Sequence, residues 1–295
     1  MPRFGAHLSI AGGIPRAVDR AVATGCDALQ IFTKSAGQWR ARALPDDEVR
    51  HFRRKADAAG LSPRVAHASY LINLGTREPA IRARSMAGLV EELDRAERLG
   101  LDGLVLHPGA TVGGTEEEGL RLVADAAAEA FKARRRQRVK LLFEHTAGQG
   151  SSLGWTFEHL RTLLEHLNGA PRAGVCLDTC HLLAAGYDWR SPSGYRRTFE
   201  AFDRLIGFDC LHVVHVNDSK KPCGSRVDRH AHIGQGEIGT IAFRRLVNDP
   251  RFAGMGLVLE TPKQAGVSDA DPFDRENLYL LRSLVRAQGT GHRAQ

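Results

Sequence analysis

Six apolar runs in this chain each stop at a residue type that ligates metal ions. They read Arg64-Val65-Ala66-His67, Leu104-Val105-Leu106-His107, Leu141-Leu142-Phe143-Glu144, Gly174-Val175-Cys176-Leu177-Asp178, Val213-Val214-His215 and Leu257-Val258-Leu259-Glu260. Short apolar runs bounded by turn residues read as buried strands. A strand–helix chain that closes on itself carries every strand C-terminus to one rim. Three histidines and three carboxylates on one rim converge on a single pocket. That donor set points to hydrolysis by metal-activated hydroxide.

Eight strand–helix units can be traced. Strands are expected over 4–9 and 28–32, then ending at His67, His107, Glu144 and Asp178, then over 210–216, and finally ending at Glu260. Helices are expected from Gly12-Gly13 to Gly25 and over 45–59, 78–99, 115–136, 156–166, 193–206, 241–248 and 272–287. The helix at Thr115 opens with three glutamates, which suits both the cap and the dipole. The expected fold is α/β: a single-domain TIM (β/α)8 barrel over 1–287, with a polar tail over 288–295 expected to fray. An open doubly wound sheet is the rival topology. Its ligand crevice lies at one switch point, so it would not gather the ends of strands three to eight. The 295 residues suffice for one such core.

Lys and Arg number 41 against 34 acids, a formal charge of +7. This balance suits a polyanionic partner without proving one. The five cysteines, Cys26, Cys176, Cys180, Cys210 and Cys223, are odd in number and form no CxxC pair. Cys176 and Cys210 fall in expected strands as small apolar fillers. No apolar signal region opens the chain and no stretch approaches transmembrane length, so a cytoplasmic, non-membrane protein is expected, working as a monomer.

Loops add further donors. His181 follows strand six in Asp178-Thr-Cys-His181. Asp228 and His230 lie two apart in the loop after strand seven, a spacing that turns both side chains the same way in extended chain. Nine donors exceed one tetrahedral ion, so two or three ions are needed. Imidazole with carboxylate favours zinc first and manganese second. A lone strand-end histidine is more often a satisfied polar residue than a ligand, but six in succession at one rim change that balance. His7 is expected beside the ligands, and His232 is expected to be a spare ligand or to stand behind the ligands. His212 and His145 are expected to face away, and His51, His159 and His166 to lie on helix surfaces.

These residues sit in longer motifs: Gly5-Ala-His-Leu-Ser9, Phe32-Thr-Lys34, His67-Ala-Ser-Tyr-Leu-Ile-Asn-Leu-Gly75, His107-Pro-Gly109, Gly174-Val-Cys-Leu-Asp-Thr-Cys-His181, His215-Val-Asn-Asp-Ser-Lys220 and Gly224-Ser-Arg-Val-Asp-Arg-His230. In order and over nearly the whole chain, they resemble the endonuclease IV family of apurinic/apyrimidinic endonucleases. The resemblance implies three Zn2+ ions, with Glu144 bridging two of them as the central catalytic residue. His67 and His107 would complete one site. Asp178, His215 and Glu260 would complete the second, and His181, Asp228 and His230 would hold the third. It also implies a duplex DNA substrate carrying an abasic site, cut on the 5′ side to leave a 3′-hydroxyl and a 5′-deoxyribose phosphate.

On that reading Lys34, Arg40, Lys220, Arg226 and Arg229 are expected to reach phosphates, with Lys221 and Lys263 nearby. Tyr70 and Leu71 match positions that enter the duplex at the lesion. The densest basic run, Lys132 to Arg138, precedes strand five and is expected at the opposite end, as a solvated helix C-terminus. Two positions depart from the family. Gly37 stands where well-known members carry an arginine that probes the stack, and His145 stands where an asparagine often follows the bridging glutamate. The main alternative is a divalent-metal sugar isomerase or epimerase on the same barrel. A metal-stabilised DNA-binding protein without catalysis is the other.

Overall fold

The computed structural model describes residues 1–267 and 269–286; the tail expected at 288–295 lies outside the described residues. Eight parallel strands close into a barrel in the order β1 (Arg3–Leu8), β10 (Gly256–Leu259), β7 (Leu211–His215), β6 (Ala173–Asp178), β5 (Lys140–Glu144), β4 (Gly103–Leu106), β3 (Arg64–His67) and β2 (Ala28–Phe32). Helices α1 (Pro15–Thr24), α2 (Asp46–Ala58), α3 (Pro79–Leu99), α4 (Glu116–Ala133), α5 (Phe157–His166), α7 (Pro192–Leu205), α8 (Thr240–Val247) and α9 (Pro272–Ser283) follow the barrel strands. The TIM barrel expectation holds.

Local chemistry sets the helix ends. The Thr115 hydroxyl accepts from the Glu118 amide at 3.2 Å, and the Glu118 carboxylate accepts from the Thr115 amide at 3.0 Å. This reciprocal cap starts α4 where the sequence placed it. Gly100, with φ 69, closes α3 in the left-handed conformation that costs glycine little.

The core has two parts. A large cluster fills the space between barrel and helices, and a second, smaller one comprises Val65, Val105, Leu142, Cys176, Val213 and Val258. Each of these six stands two residues before one of His67, His107, Glu144, Asp178, His215 and Glu260. Side chains two apart on a strand share a face. The six apolar residues therefore form a floor inside the barrel, and the six ligand-type residues form the layer above it.

Several features differ from expectation. A helix, α6 (Thr179–Ala185), begins directly at the end of β6, so His181 lies on its first turn rather than on a loop. Two short strands, β8 (Asp218–Ser219) and β9 (His230–Ala231), pair antiparallel inside the long loop after β7. Cys210 ends a 3-10 turn (Phe208–Cys210) before β7 instead of lying in the strand. Helix α4 stops at Ala133, so Arg134 to Arg136 lie beyond its end, where Arg134 pairs with Asp94 at 2.7 Å.

His212 is not turned to the outer face as expected. The register between β6 and β7 shifts at Val175/Cys176, a bulge that breaks strict alternation. His212 instead lines a cavity of about 650 Å³ at the lower mouth with inward-facing Val65, Leu142 and Val213, its Nε2 accepting from Lys140 Nζ at 3.0 Å. It stays below the apolar floor, apart from the ligand layer.

Candidate metal centre

Glu144 stands at the middle of the upper layer, fully buried. Its Oε2 lies 3.0 Å from both His67 Nε2 and His107 Nε2, and its Oε1 lies 3.0 Å from His215 Nδ1. The two oxygens thus face two donor groups. One is His67, His107 and Glu144; the other is Glu144, Asp178, His215 and Glu260, each with ligand atoms within 4.8 Å of one another. A third group gathers Asp178, His181 and His230, and a fourth links Asp228 and His230 with Cys180. Asp228 also reaches His181, with 3.2 Å between Oδ2 and His181 Nε2. All nine sequence-derived donors therefore meet in one continuous centre, and Asp178 touches two of its groups.

The fold builds each arm of the third group. Asp178 Oδ1 accepts from the His181 amide at 2.9 Å, capping α6 and turning His181 inward on its first turn. Asp178 Oδ2 is left for Asn217 Nδ2, at 2.7 Å, and for the centre. His230 arrives on the β8–β9 ladder. Asp218, at the base of that ladder, is a buried carboxylate that accepts from the amides of Ser219, Gly234, Gly236, Ile238 and Gly239 at 2.7–3.2 Å. A Cβ at Gly236 would lie 2.3 Å from the Ser219 carbonyl oxygen, so the loop closes only with glycine there.

Orientation of the rings favours ligation. The Nδ1–H of His67 donates to the Ala68 carbonyl at 2.7 Å, that of His181 to the His145 carbonyl at 2.8 Å, and that of His230 to the Glu260 carbonyl at 3.0 Å. Each bond fixes the tautomer and leaves Nε2 turned to the centre. His181 Nε2 and His230 Nε2 are buried and without a hydrogen-bond partner among the described residues, although Asp228 oxygens lie 3.2 Å from each. Donor atoms at that distance but out of line for a hydrogen bond could hold a cation between them. The residues fit divalent ions held by imidazole and carboxylate.

Charge follows the same pattern. Burial resists ionisation of Glu144, yet His215 and His107 outweigh it and hold the carboxyl well below the usual range. Burial likewise opposes the charge on Asp228, and His181 and His230 overcome it. His230 is pushed up to about 9, because Asp178 and Asp228 outweigh its desolvation.

The other histidines sort clearly. His7 Nδ1 lies 3.2 Å from Glu260 Oε1, next to the ligands as expected. His145 points away from Glu144 onto Phe157 and Tyr187, and burial pushes its pKa down to about 3. His232 is not a spare ligand: its Nδ1 accepts from Asn277 Nδ2 at 3.0 Å and its ring packs on Phe273. His159 is not a surface residue: its Nδ1 accepts from the Gly154 amide at 3.2 Å, and its Nε2 faces Glu116 at 3.4 Å. His51 and His166 are exposed.

The rim around the centre is mixed. Tyr70 is 62% exposed, and its ring sits 5.2 Å from that of His67 and 5.7 Å from that of His107. Cavities of about 240 and 550 Å³ flank it. Leu71 is half-buried beside it, and Arg40, Lys220, Lys221, Arg226 and Arg229 are exposed. The Arg226 guanidinium lies 3.8 Å from the Trp155 ring centroid, close enough to stack. Lys34 departs from expectation. It is buried, with Nζ donating to the Trp39 carbonyl at 2.9 Å and to Glu91 at 3.1 Å, so it anchors its loop to α3 rather than facing phosphate. Lys263 is likewise engaged, with its Nζ 2.5 Å from buried Asp274.

Sequence reasoning missed Gln30 and Asn217. Asn217 donates to Asp178 and accepts from the Glu260 amide at 2.8 Å, joining two ligands. Amides lie outside a search for charged donors. Only the spacing of Asn217 two residues after His215 carried a signal.

The profile of the xylose isomerase-like TIM barrel family matches residues 18–283. The chain is 48% identical over 286 residues to a probable endonuclease 4 from Chloroflexus aurantiacus, covering 97% of this chain and 99% of that protein. A probable endonuclease 4 from Geobacter sulfurreducens is 46% identical over 292 residues, covering 99% and 97%. The crystal structure of endonuclease IV from Thermus thermophilus superposes with a TM-score of 0.84 at 41% identity, covering 96% of this chain and 98% of that one. A D-tagatose 3-epimerase-like protein, at 17% identity and a TM-score of 0.69, shares the fold alone.

Proposed function

The chain belongs to the endonuclease IV family within the xylose isomerase-like TIM barrels, and from that premise we propose that it hydrolyses the phosphodiester 5′ to an abasic site in duplex DNA, leaving a 3′-hydroxyl and a 5′-deoxyribose phosphate. The reading is of a DNA-repair enzyme using three Zn2+ ions, with manganese an alternative at one or more sites. The observation that carries it is the convergence of nine donors around Glu144, whose two oxygens each face a different imidazole group at 3.0 Å. A centre built for one ion would not need them all.

Bound divalent ions supply a nucleophile from water near neutral pH and positive charge for the phosphoryl oxygens. The protein does the rest. Glu144 joins two donor groups, so its charge holds both at fixed separation. The apolar floor beneath them excludes water from below, which strengthens every interaction in the layer. Tyr70 and Leu71 stand at the mouth, where an aromatic or apolar wedge fills the gap left by a displaced nucleotide. Arg40, on the loop after β2, and Lys220, Arg226 and Arg229, on the loop after β7, are exposed and serve as phosphate contacts. No helix among the described residues is long and apolar enough to cross a membrane.

The direct test incubates zinc-loaded protein with a duplex holding one abasic site, an undamaged duplex and simple ketoses, followed by end-group analysis. Cleavage of the abasic duplex alone, with a 3′-hydroxyl product, is expected. Glu144→Ala should lose metal and turnover together. Epimerisation of a ketose without strand cleavage would refute the reading.

A further inference from the structure

Gln30 lies on β2, paired in register with His7 on β1 and Val65 on β3, and it is fully buried. Its amide reaches three side chains of the centre. Oε1 stands 2.9 Å from His215 Nε2; Nε2 stands 2.6 Å from Glu260 Oε1 and 3.0 Å from His7 Nδ1. An ionised carboxylate only accepts, so the NH2 end must face Glu260 and the carbonyl end must face His215. One orientation of one amide therefore suits Glu260 and His215 together, with His7 Nδ1 set beside both the amide and Glu260 Oε1.

That orientation has a consequence for His215. With its proton held at Nε2 by the Gln30 carbonyl, the lone pair lies on Nδ1. Nδ1 is the nitrogen 3.0 Å from Glu144 Oε1 and 3.3 Å from Glu260 Oε2. His67, His181 and His230 are arranged the other way round, giving Nδ1 to main-chain carbonyls and Nε2 to the centre. His215 is held instead by a side chain from a strand across the barrel, and the same side chain fixes Glu260.

We infer that Gln30 is a positioning residue for the metal centre: it selects the tautomer in which His215 ligates through Nδ1, and it sets Glu260 around the same ion. The inference rests on the metal-dependent reading above. The role of Gln30 is exerted through the two side chains it joins, His215 and Glu260.

The test combines zinc competition against a chromogenic chelator with long-range 1H–15N correlation on histidine-labelled protein. In the zinc-loaded wild type the His215 proton is expected on Nε2 and the ion on Nδ1. Gln30→Met, of similar length but without polar ends, should lower affinity for one equivalent of zinc by roughly 10–100-fold and release the His215 proton from a single site. Gln30→Glu keeps an acceptor for His215 and should keep the Nε2–H tautomer. Wild-type affinity and an unchanged His215 tautomer in Gln30→Met would overturn the inference alone. If Gln30→Met does not fold, loss of the Nε2–H tautomer in Gln30→Glu overturns it equally. A wild-type protein that binds no divalent ion would overturn both this inference and the functional reading beneath it.

Discussion

His230 Nε2 lies 3.2 Å from Asp228 Oδ1, yet no hydrogen bond joins them. The pair is close because both point at one spot, and the geometry suits a cation between them. Removing either partner should therefore remove an ion. His230→Ala and Asp228→Ala are each expected to lower bound zinc by about one equivalent, and to slow cleavage at least ~100-fold. Metal analysis of the purified variants, set beside abasic-strand cleavage, checks this. Full zinc content in both variants would contradict it.

Protonation and metal binding should oppose one another. His230, at about 9 in the folded metal-free protein, lies above its ordinary 6.5. A raised histidine stabilises the fold fully below 6.5 and loses that contribution as pH rises through 9. Metal-stripped protein is thus expected to lose stability between pH 6.5 and 9, by at most on the order of 3 kcal/mol from this group. Zinc affinity should rise across the same window, because the proton must leave before the ion binds. Thermal melts of stripped and loaded protein over that range would show the two trends diverging. Parallel curves would exclude the coupling.

Lys34 and the rim cations should behave differently. The Lys34 ammonium lies 3.7 Å from Glu92, which is itself buried and accepts from the Ser69 amide at 3.1 Å. Lys34→Met should destabilise the fold by about 3 kcal/mol, the scale for breaking a buried pair. It should leave the salt dependence of DNA binding unchanged. Lys220→Ala and Arg229→Ala should do the reverse, each reducing the log–log salt slope by about 0.9 for every phosphate left without its cation. Salt titrations and melts of the three variants separate the cases.

Gly37 offers a test of lesion probing. It is exposed, and among the described residues nothing lies within 4 Å of where its Cβ would stand. Gly37→Arg should change stability by no more than about 0.5 kcal/mol, as surface substitutions usually do. It should tighten binding to an abasic duplex more than to an intact one. Equal gains on both duplexes would mean that the added charge acts on the backbone alone.

Much of this was legible in the chain. Barrel strands that are buried on both faces read as short apolar runs, and their shared parallel direction brings their last residues to one rim. The six strand-end donors followed from that pattern, and the residue two before each of them proved to be the apolar floor. Alternation also placed His145 outside the centre. It failed at His212, where a bulge inserts an extra residue and local periodicity no longer tells which face a side chain takes.

What the amino-acid order determined by itself was the repeating strand–helix pattern and the identity of the donors at its strand ends, because both are written in periods of two and 3.6 residues. What only the tertiary structure decided were relations between distant segments. Helix α6 and the β8–β9 ladder bring His181 and His230 beside Asp178. Gln30 turns the ring of His215, 185 residues away. Lys34, basic and near the rim, is drawn inward by Glu91 and the Trp39 carbonyl. Each outcome depends on which carbonyl, amide or carboxylate closes the partner's hydrogen bonds, and those partners meet only when the barrel closes.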